Sequence, residues 1–315
     1  MRVLSLFDGM ACGYEALVRA GIPIDAYYAS EIDKYAIQIA KKNHPDIIEL
    51  GDVNDFGNRP IEPDMIIGGS PCQWFSIAGK MLNFEDPRSK LFFKFVQAVK
   101  WFKPKYFLLE NVKMKKEWVD IISRELWVLP IEIDSALVSA QSRKRLYWTN
   151  IPWITQPEDR GILLRDILEE KVDEKYYFSK ERWDRIINWK YDIVKRTEDV
   201  NWKCATLTTV GGWNHEKKIF MPCGTQYSSS DNFWNSFWSQ KWYTLRASCP
   251  NWIIEDIGIV RKLTPIECER LQTLEDNYTE WVSDSQRYKM LGNGWTVDVI
   301  SHIFKHLKSS EAWAS

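Results

Sequence analysis

Short apolar runs and longer stretches of helical period take turns along the first half of the chain, with Gly, Asp, Glu or Asn closing most of the runs. Residues 3–7 read as a strand, the turn Asp8-Gly9-Met10-Ala11-Cys12-Gly13 follows, and residues 14–20 read as a helix. The same rhythm predicts strands at 24–30, 47–50, 64–68, 106–109, 129–138 and 146–150, with helices at 34–43, 91–102 and 115–126. Strand–helix alternation of this kind predicts the α/β class, with a doubly wound sheet. Beyond residue 153 the rhythm stops, and Trp202, Trp213, Trp234, Trp238, Trp242 and Trp252 crowd a region where residues 204–210 and 242–246 read as strands. Helical pattern returns at Thr264, with Pro265 and Glu267 completing an N-terminal capping signature. A last helix carries Val297, Ile300, Ile303, Phe304 and Leu307 on one face. The expected organisation is a first domain over 1–153, a smaller, mostly β or irregular domain over 154–258, and a segment over 259–315 that returns to the first.

Composition changes this picture little. The chain has 315 residues, 45% of them hydrophobic, which is enough for a substantial core. Its formal net charge of -1 leaves a nucleic-acid-binding surface to a local patch. Six cysteines are scattered without a C-x-x-C pair, which argues against a zinc ribbon or a disulfide framework and for a reducing compartment. Asp8 comes too early for a signal peptide, and no apolar run approaches the ~20 residues of a membrane span. The expectation is a soluble, cytoplasmic protein.

Candidate chemistry gathers where the apolar runs stop. In open α/β sheets ligands bind outside the carboxyl ends of the strands. Cys72, in Gly68-Gly69-Ser70-Pro71-Cys72-Gln73, stands just past one such end, either as an exposed nucleophile or as a small buried thiol. Glycines between residues 7 and 14 suit close approach of backbone to a ligand. Glu31, at the next strand tip, reads as a ribose-diol acceptor or as an acid at a helix N-terminus. Asp52 reads as an acceptor for an adenine amine or as an Asx-turn. Glu110 ends a strand at the same edge as Cys72, and residues 77–88 read as a mobile loop beside it. Residues 139–145, Ser-Ala-Gln-Ser-Arg-Lys-Arg, read as a basic turn.

Taken in order, Phe7-Asp8-Gly9, Glu31, Asp52, Pro71-Cys72-Gln73, Glu110-Asn111-Val112, Gln141-Ser142-Arg143-Lys144-Arg145 and Gly292-Asn293 resemble the cytosine-5 DNA methyltransferases. The resemblance spans almost the whole chain, and the variable middle falls where that family keeps its target recognition domain. The wording of Phe7-Asp8-Gly9-Met10-Ala11-Cys12-Gly13, Ala29-Ser30-Glu31, Val138-Ser139-Ala140 and Trp295 is most similar to the animal de novo enzymes and their phage and bacterial relatives. Many bacterial members carry Gly at the positions of Ala11 and Cys12.

The resemblance implies a Rossmann-like sheet, S-adenosylmethionine as methyl donor, double-stranded DNA as partner, a monomer, and in some members a cognate restriction endonuclease. It implies Cys72 as the nucleophile that adds to carbon 6 of an extruded cytosine, with Glu110 on ring nitrogen 3 and the exocyclic amine. It implies Arg143 on the base carbonyl and beside the thiolate, and Arg145 near the reacting base as a phosphate contact. Phe7, Asp8, Gly9, Glu31, Ile32, Asp52, Val53, Pro71, Leu91, Asn293 and Trp295 match cofactor-site positions. Gln73, Ser76, Arg88, Gln141, Thr206, Leu207 and Arg246 match DNA contacts, with Lys241, Arg261 and Lys262 as further cations for the backbone. Two Thr-Leu pairs, Thr206-Leu207 and Thr244-Leu245, compete for the recognition loop. The same chemistry on transfer RNA is one rival, although the chain lacks the Cys-Phe-Thr element usual in that branch. A non-catalytic DNA-binding relative is another, and a nicotinamide-dependent oxidoreductase leaves Cys72, Glu110 and Arg143 without a role.

Overall fold

The computed structural model describes residues 1–58, 60–69, 89–177, 203–205, 252–255 and 259–312. Five βα-type strands open the chain: β1 (Arg2–Leu6), β2 (Ala26–Ser30), β3 (Ile48–Glu49), β4 (Met65–Gly69) and β5 (Tyr106–Val112). Helices α1 (Cys12–Ala20), α2 (Lys34–Asn43), α3 (Ser89–Phe102) and α4 (Lys116–Leu126) lie among them. Then come β6 (Ile131–Asp134), β7 (Gln141–Ser142), β8 (Lys144–Thr149), β9 (Cys204–Ala205), β10 (Trp252–Glu255), β11 (Ile259–Lys262), and helices α5 (Pro265–Leu271), α6 (Asp284–Asn293) and α7 (Val297–Ala312).

The main sheet has seven strands in the order β3-β2-β1-β4-β5-β8-β6. The β3 to β5 portion is parallel, and β8 inserts antiparallel between β5 and β6. Order reverses at β1, where β2 and β4 lie on opposite sides, so the ends of β1, β2 and β4 form the topological switch point of an open sheet. One face buries Leu4, Leu6, Ile66, Phe107 and Leu109 with Phe92, Phe95 and Val96 of α3. The other buries Val3, Tyr27, Met65, Ile67 and Leu108 with Ala16 and Leu17 of α1 and Val299, Ile300, Ile303 and Phe304 of α7.

The central strands therefore carry continuous apolar runs, as a sheet covered on both faces requires. The sheet is α/β as expected, and α7 returns to it by lying along α1. Residues 154–168, expected in the second domain, instead pack on the first: Leu164 and Ile167 join the α1/α7 core, and the Arg160 amide donates to the Leu137 carbonyl. The predicted long strand over 129–138 is split, because Asp134 accepts from the Ala136 amide and starts a 3-10 turn over Ser135–Leu137. The predicted basic turn over 139–145 is largely strand, β7 and the start of β8. Among the described residues no helix is long and apolar enough to cross a membrane.

Candidate active site

The turn after β1 bends sharply, with positive φ at Phe7 (60°), Gly9 (62°) and Ala11 (66°). Two of those residues are not glycine, and backbone held this way clusters at ligand sites. Glu31 ties this turn to the one after β2. Its Oε2 accepts from the Gly9 amide at 2.8 Å, and its Oε1 from the amides of Ile32 (2.8 Å) and Asp33 (2.9 Å). Three of its roughly four acceptor positions are thus used on backbone. The helix-entry role of Glu31 is present, and one lone pair is left for a ligand hydroxyl. Asp33 caps α2 through the Tyr35 amide and pairs with Lys289 of α6 at 2.6 Å.

Around this edge Ile32 is 74% exposed, an apolar side chain standing in the open beside the half-buried Phe7. Asp52 is exposed and accepts from the Asn54 amide and side chain, both at 2.8 Å, so the Asx-turn is formed. Val53 is buried with Leu50 in the α3-side core, which leaves only its backbone for a ligand. Leu91 is half-buried against the same core, and Asn293 is exposed. Asp8 is the least satisfied group here. Its Oδ1 accepts from the Tyr27 hydroxyl at 2.6 Å, whereas its Oδ2 is buried with no hydrogen-bond partner. Burial pushes its carboxyl up to about 7; the charges of Glu49 and Glu31 add to this, and bonds from Ser5 and Tyr27 oppose it. Cys12 is buried, and desolvation pushes its thiol up to about 12, an inert thiol rather than a nucleophile.

Glu110 closes the other side of the edge. It pairs in register with Gly69 of β4, which ends just before Ser70-Pro71-Cys72, and with Tyr147 of β8. Residues 145 and 147 share a face of β8 through strand alternation, whereas Arg143 lies between β7 and β8. Arg145 sits diagonally across from Glu110, and its Nε reaches Glu110 Oε1 at 3.0 Å. The indole N–H of Trp295 donates to Glu110 Oε2 at 3.2 Å. Glu110 is 8% exposed, so its carboxyl is held between two donors in a nearly dry place.

Several site residues sit differently from expectation. Arg143, expected on the base, is buried and donates to the carbonyls of Gly292 (3.2 Å) and Gly294 (3.0 Å), bracing the turn that carries Asn293 and Trp295. Arg145, expected on a phosphate, is turned inward to Glu110; the two arginines differ because β8 begins at Lys144 and fixes Arg145 in the ladder. Gln141, expected on DNA, is fully buried, with its side-chain nitrogen 3.4 Å from the Leu271 carbonyl. Arg261, expected on the DNA backbone, is also buried and forms two 2.8 Å bonds to Glu267. Asp134 was not anticipated: it accepts from the Arg143 amide and the Ser142 hydroxyl and sets the approach to β8. Nor was Tyr27, whose place inside an apolar run concealed its polar end. Pro71, Cys72, Gln73, Ser76, Arg88, Thr206, Leu207, Lys241, the Thr244-Leu245 pair and Arg246 lie outside the described residues.

A sequence model of C-5 cytosine-specific DNA methylases matches residues 1–118 and 138–309. The type II methyltransferase M1.ScrFI of Lactococcus lactis subsp. cremoris is 31% identical over 89% of this chain and 71% of its own. The orphan methyltransferase M.SPRI of Bacillus phage SPR is 26% identical over 98% and 97%, and the type II methyltransferase M.HhaI of Haemophilus parahaemolyticus 26% over 98% and 95%. Among solved structures, the Entamoeba histolytica methyltransferase EhMeth is similar with a TM-score of 0.74 at 17% identity, covering 99% of this chain and 98% of its own. Schizosaccharomyces pombe Dnmt2 is similar with a TM-score of 0.68 at 20% identity over 99% of both chains, so the fold is shared. With the family model matching most of its length, the chain belongs to the C-5 cytosine-specific DNA methylase family.

Proposed function

We propose that this chain transfers the methyl group of S-adenosylmethionine to carbon 5 of cytosine in double-stranded DNA. The observation that carries the reading is the carboxyl of Glu110, fixed by Arg145 and Trp295 beside the end of β4, one strand from the Phe7–Glu31 turn. The residues there fit the cofactor. Exposed Ile32 beside Phe7 suits an adenine, and Glu31 has an acceptor left for a ribose hydroxyl. The unpartnered Oδ2 of Asp8 is an acceptor in want of a donor or a cation. When bound, S-adenosylmethionine supplies an electrophilic methyl group.

The chain's own residues prepare the base. Carbon 5 of cytosine is a weak nucleophile, so the Cys72 thiolate adds to carbon 6 and makes the ring electron-rich. Glu110 hydrogen-bonds ring nitrogen 3 and the exocyclic amine, which favours that attack. Arg145, alongside Glu110, takes the role of holding the base carbonyl, while Arg143 braces the 292–294 turn. Loss of the carbon 5 proton then expels Cys72. Because the reacting atoms lie inside the duplex, the base must be extruded, at a cost of a few kcal/mol. Most of the segment 154–258 carries sequence recognition, and relatives named both orphan and type II leave two settings, with and without a cognate endonuclease.

The test uses labelled cofactor with unmethylated duplex DNA or with transfer RNA. Label in DNA is expected, and label confined to RNA overturns the reading. Cys72→Ala is expected to abolish transfer while cofactor binding persists; retained transfer removes the covalent route. Bisulfite sequencing of DNA from expressing cells reports the target site.

A further inference from the structure

We propose that Trp295 is a positioning residue for Glu110: its indole N–H and the Arg145 guanidinium clamp the two carboxylate oxygens and set the plane in which the carboxyl meets the base. This rests on the reading above that Glu110 contacts the target cytosine. Trp295 donates to Oε2 at 3.2 Å while Arg145 holds Oε1 at 3.0 Å. A carboxyl gripped at both oxygens has no rotational freedom left, and a reacting group must be held close to its productive orientation to be effective.

Two further observations separate this from simple packing. The backbone on either side of Trp295 is pinned, by Arg143 on the Gly294 carbonyl and by the Val297 amide on the Gln272 carbonyl, and the Thr296 hydroxyl donates to the Gln272 side chain. The indole is thus delivered by a fixed main chain. And Gly69 is the only residue size that lets the two groups meet: a methyl at Gly69 would stand 2.8 Å from the Trp295 Nε1 and 3.1 Å from the Glu110 Oε2. The last described residue before Ser70-Pro71-Cys72 is shaped around this hydrogen bond, not merely around a ring.

Trp295 also touches the cofactor turn. The Trp295 backbone N–H donates to the Cys12 sulfur, and a methyl at Gly13 would lie 3.4 Å from the Trp295 ring. One side chain therefore spans the β1 turn, the end of β4 and the carboxyl of β5. Phe would fill the same wall; only the N–H serves Glu110.

The experiment compares wild type, Trp295→Phe, Glu110→Gln and the double variant. Cofactor affinity is measured by calorimetry, and the single-turnover methyl-transfer rate on unmethylated bacterial genomic DNA with tritiated donor. Trp295→Phe is expected to lower the rate about tenfold, the effect of one hydrogen bond to a charged group, with the donor Kd within about twofold. In the Glu110→Gln background the same change is expected to cost less than about twofold, because the carboxylate that the indole orients is gone. An unchanged rate, a loss confined to donor Kd, or a tenfold loss that persists in Glu110→Gln overturns the proposal. If Glu110→Gln itself leaves the rate unchanged, the role of Glu110 falls and the proposal with it, whereas failure of the Trp295 arms alone leaves Glu110 standing. Should Trp295→Phe lose donor binding through misfolding, Gly69→Ala, which wedges the pair apart, is expected to lower the rate by a similar factor at unchanged donor Kd.

Discussion

Asp8→Asn isolates the cost of an ionised carboxylate in the cofactor turn. In the folded chain burial raises the Asp8 carboxyl from 3.8 to about 7, with Glu49 and Glu31 adding like charge. The folded state therefore holds this proton between about pH 4 and pH 7 where the unfolded chain has released it. The stability contribution is present at low pH and is lost as pH rises through that window. At about 1.4 kcal/mol per pH unit the loss is on the order of 4 kcal/mol once the group is charged in both states. Asn keeps an acceptor for the Tyr27 hydroxyl and cannot ionise. Urea or thermal unfolding of both proteins without cofactor, at matched ionic strength, reads the difference, and the other titrating groups cancel. Between pH 5 and pH 8 the variant is expected to gain about 3 kcal/mol on the wild type, roughly 5 °C in Tm. A difference that does not change with pH would refute the reasoning, because it would mean that Asp8 is charged throughout or solvated.

Three exchanges test the arginines and the buried pair. Arg143→Met strands the Gly292 and Gly294 carbonyls and is expected to cost about 2–4 kcal/mol of stability, whereas Arg145→Met is expected to cost less stability and far more methyl transfer at equal donor affinity. The opposite ranking in melting and rate assays defeats the assigned roles. Glu267→Gln breaks a fork-shaped pair with Arg261 in which both partners are under 2% exposed, and the urea midpoint is expected to report a loss of about 3–5 kcal/mol.

Sequence signals are legible where the physics is local. The helix over 34–43 has the expected bounds, and Thr264 and Glu267 form the expected capping box, because caps and helical period depend on neighbours in the chain. The antiparallel insertion of β8 beside β5 was not legible, since an apolar run carries no mark of its direction or partner. The partners of Arg143 and Arg145 differ from expectation for that reason. Polarity suggested a turn, yet alternation in a strand, together with a partner more than thirty residues earlier in the chain, is what aims Arg145 at Glu110. Gln141 and Arg261 misled in the same way: polar residues were assigned to the surface, and both are interior groups satisfied by carbonyl or carboxylate partners. That Phe7, Glu31 and Glu110 share one sheet edge is legible because each stands at the end of an apolar run.

The packing of α7 along α1 sets the timetable of synthesis. One sheet face lacks the α7 part of its cover until Ile300, Ile303, Phe304 and Leu307 have left the ribosome, nearly three hundred residues after α1. Burying side chains of this kind is worth about 2 kcal/mol each, a sum comparable with the whole stability of a domain. The growing polypeptide must therefore travel with Ala16, Leu17 and the adjoining strand surface bare, a burden on chaperones that a locally wired fold would not impose. A premature stop that removes only the last helix should yield an aggregating chain rather than a weakened enzyme.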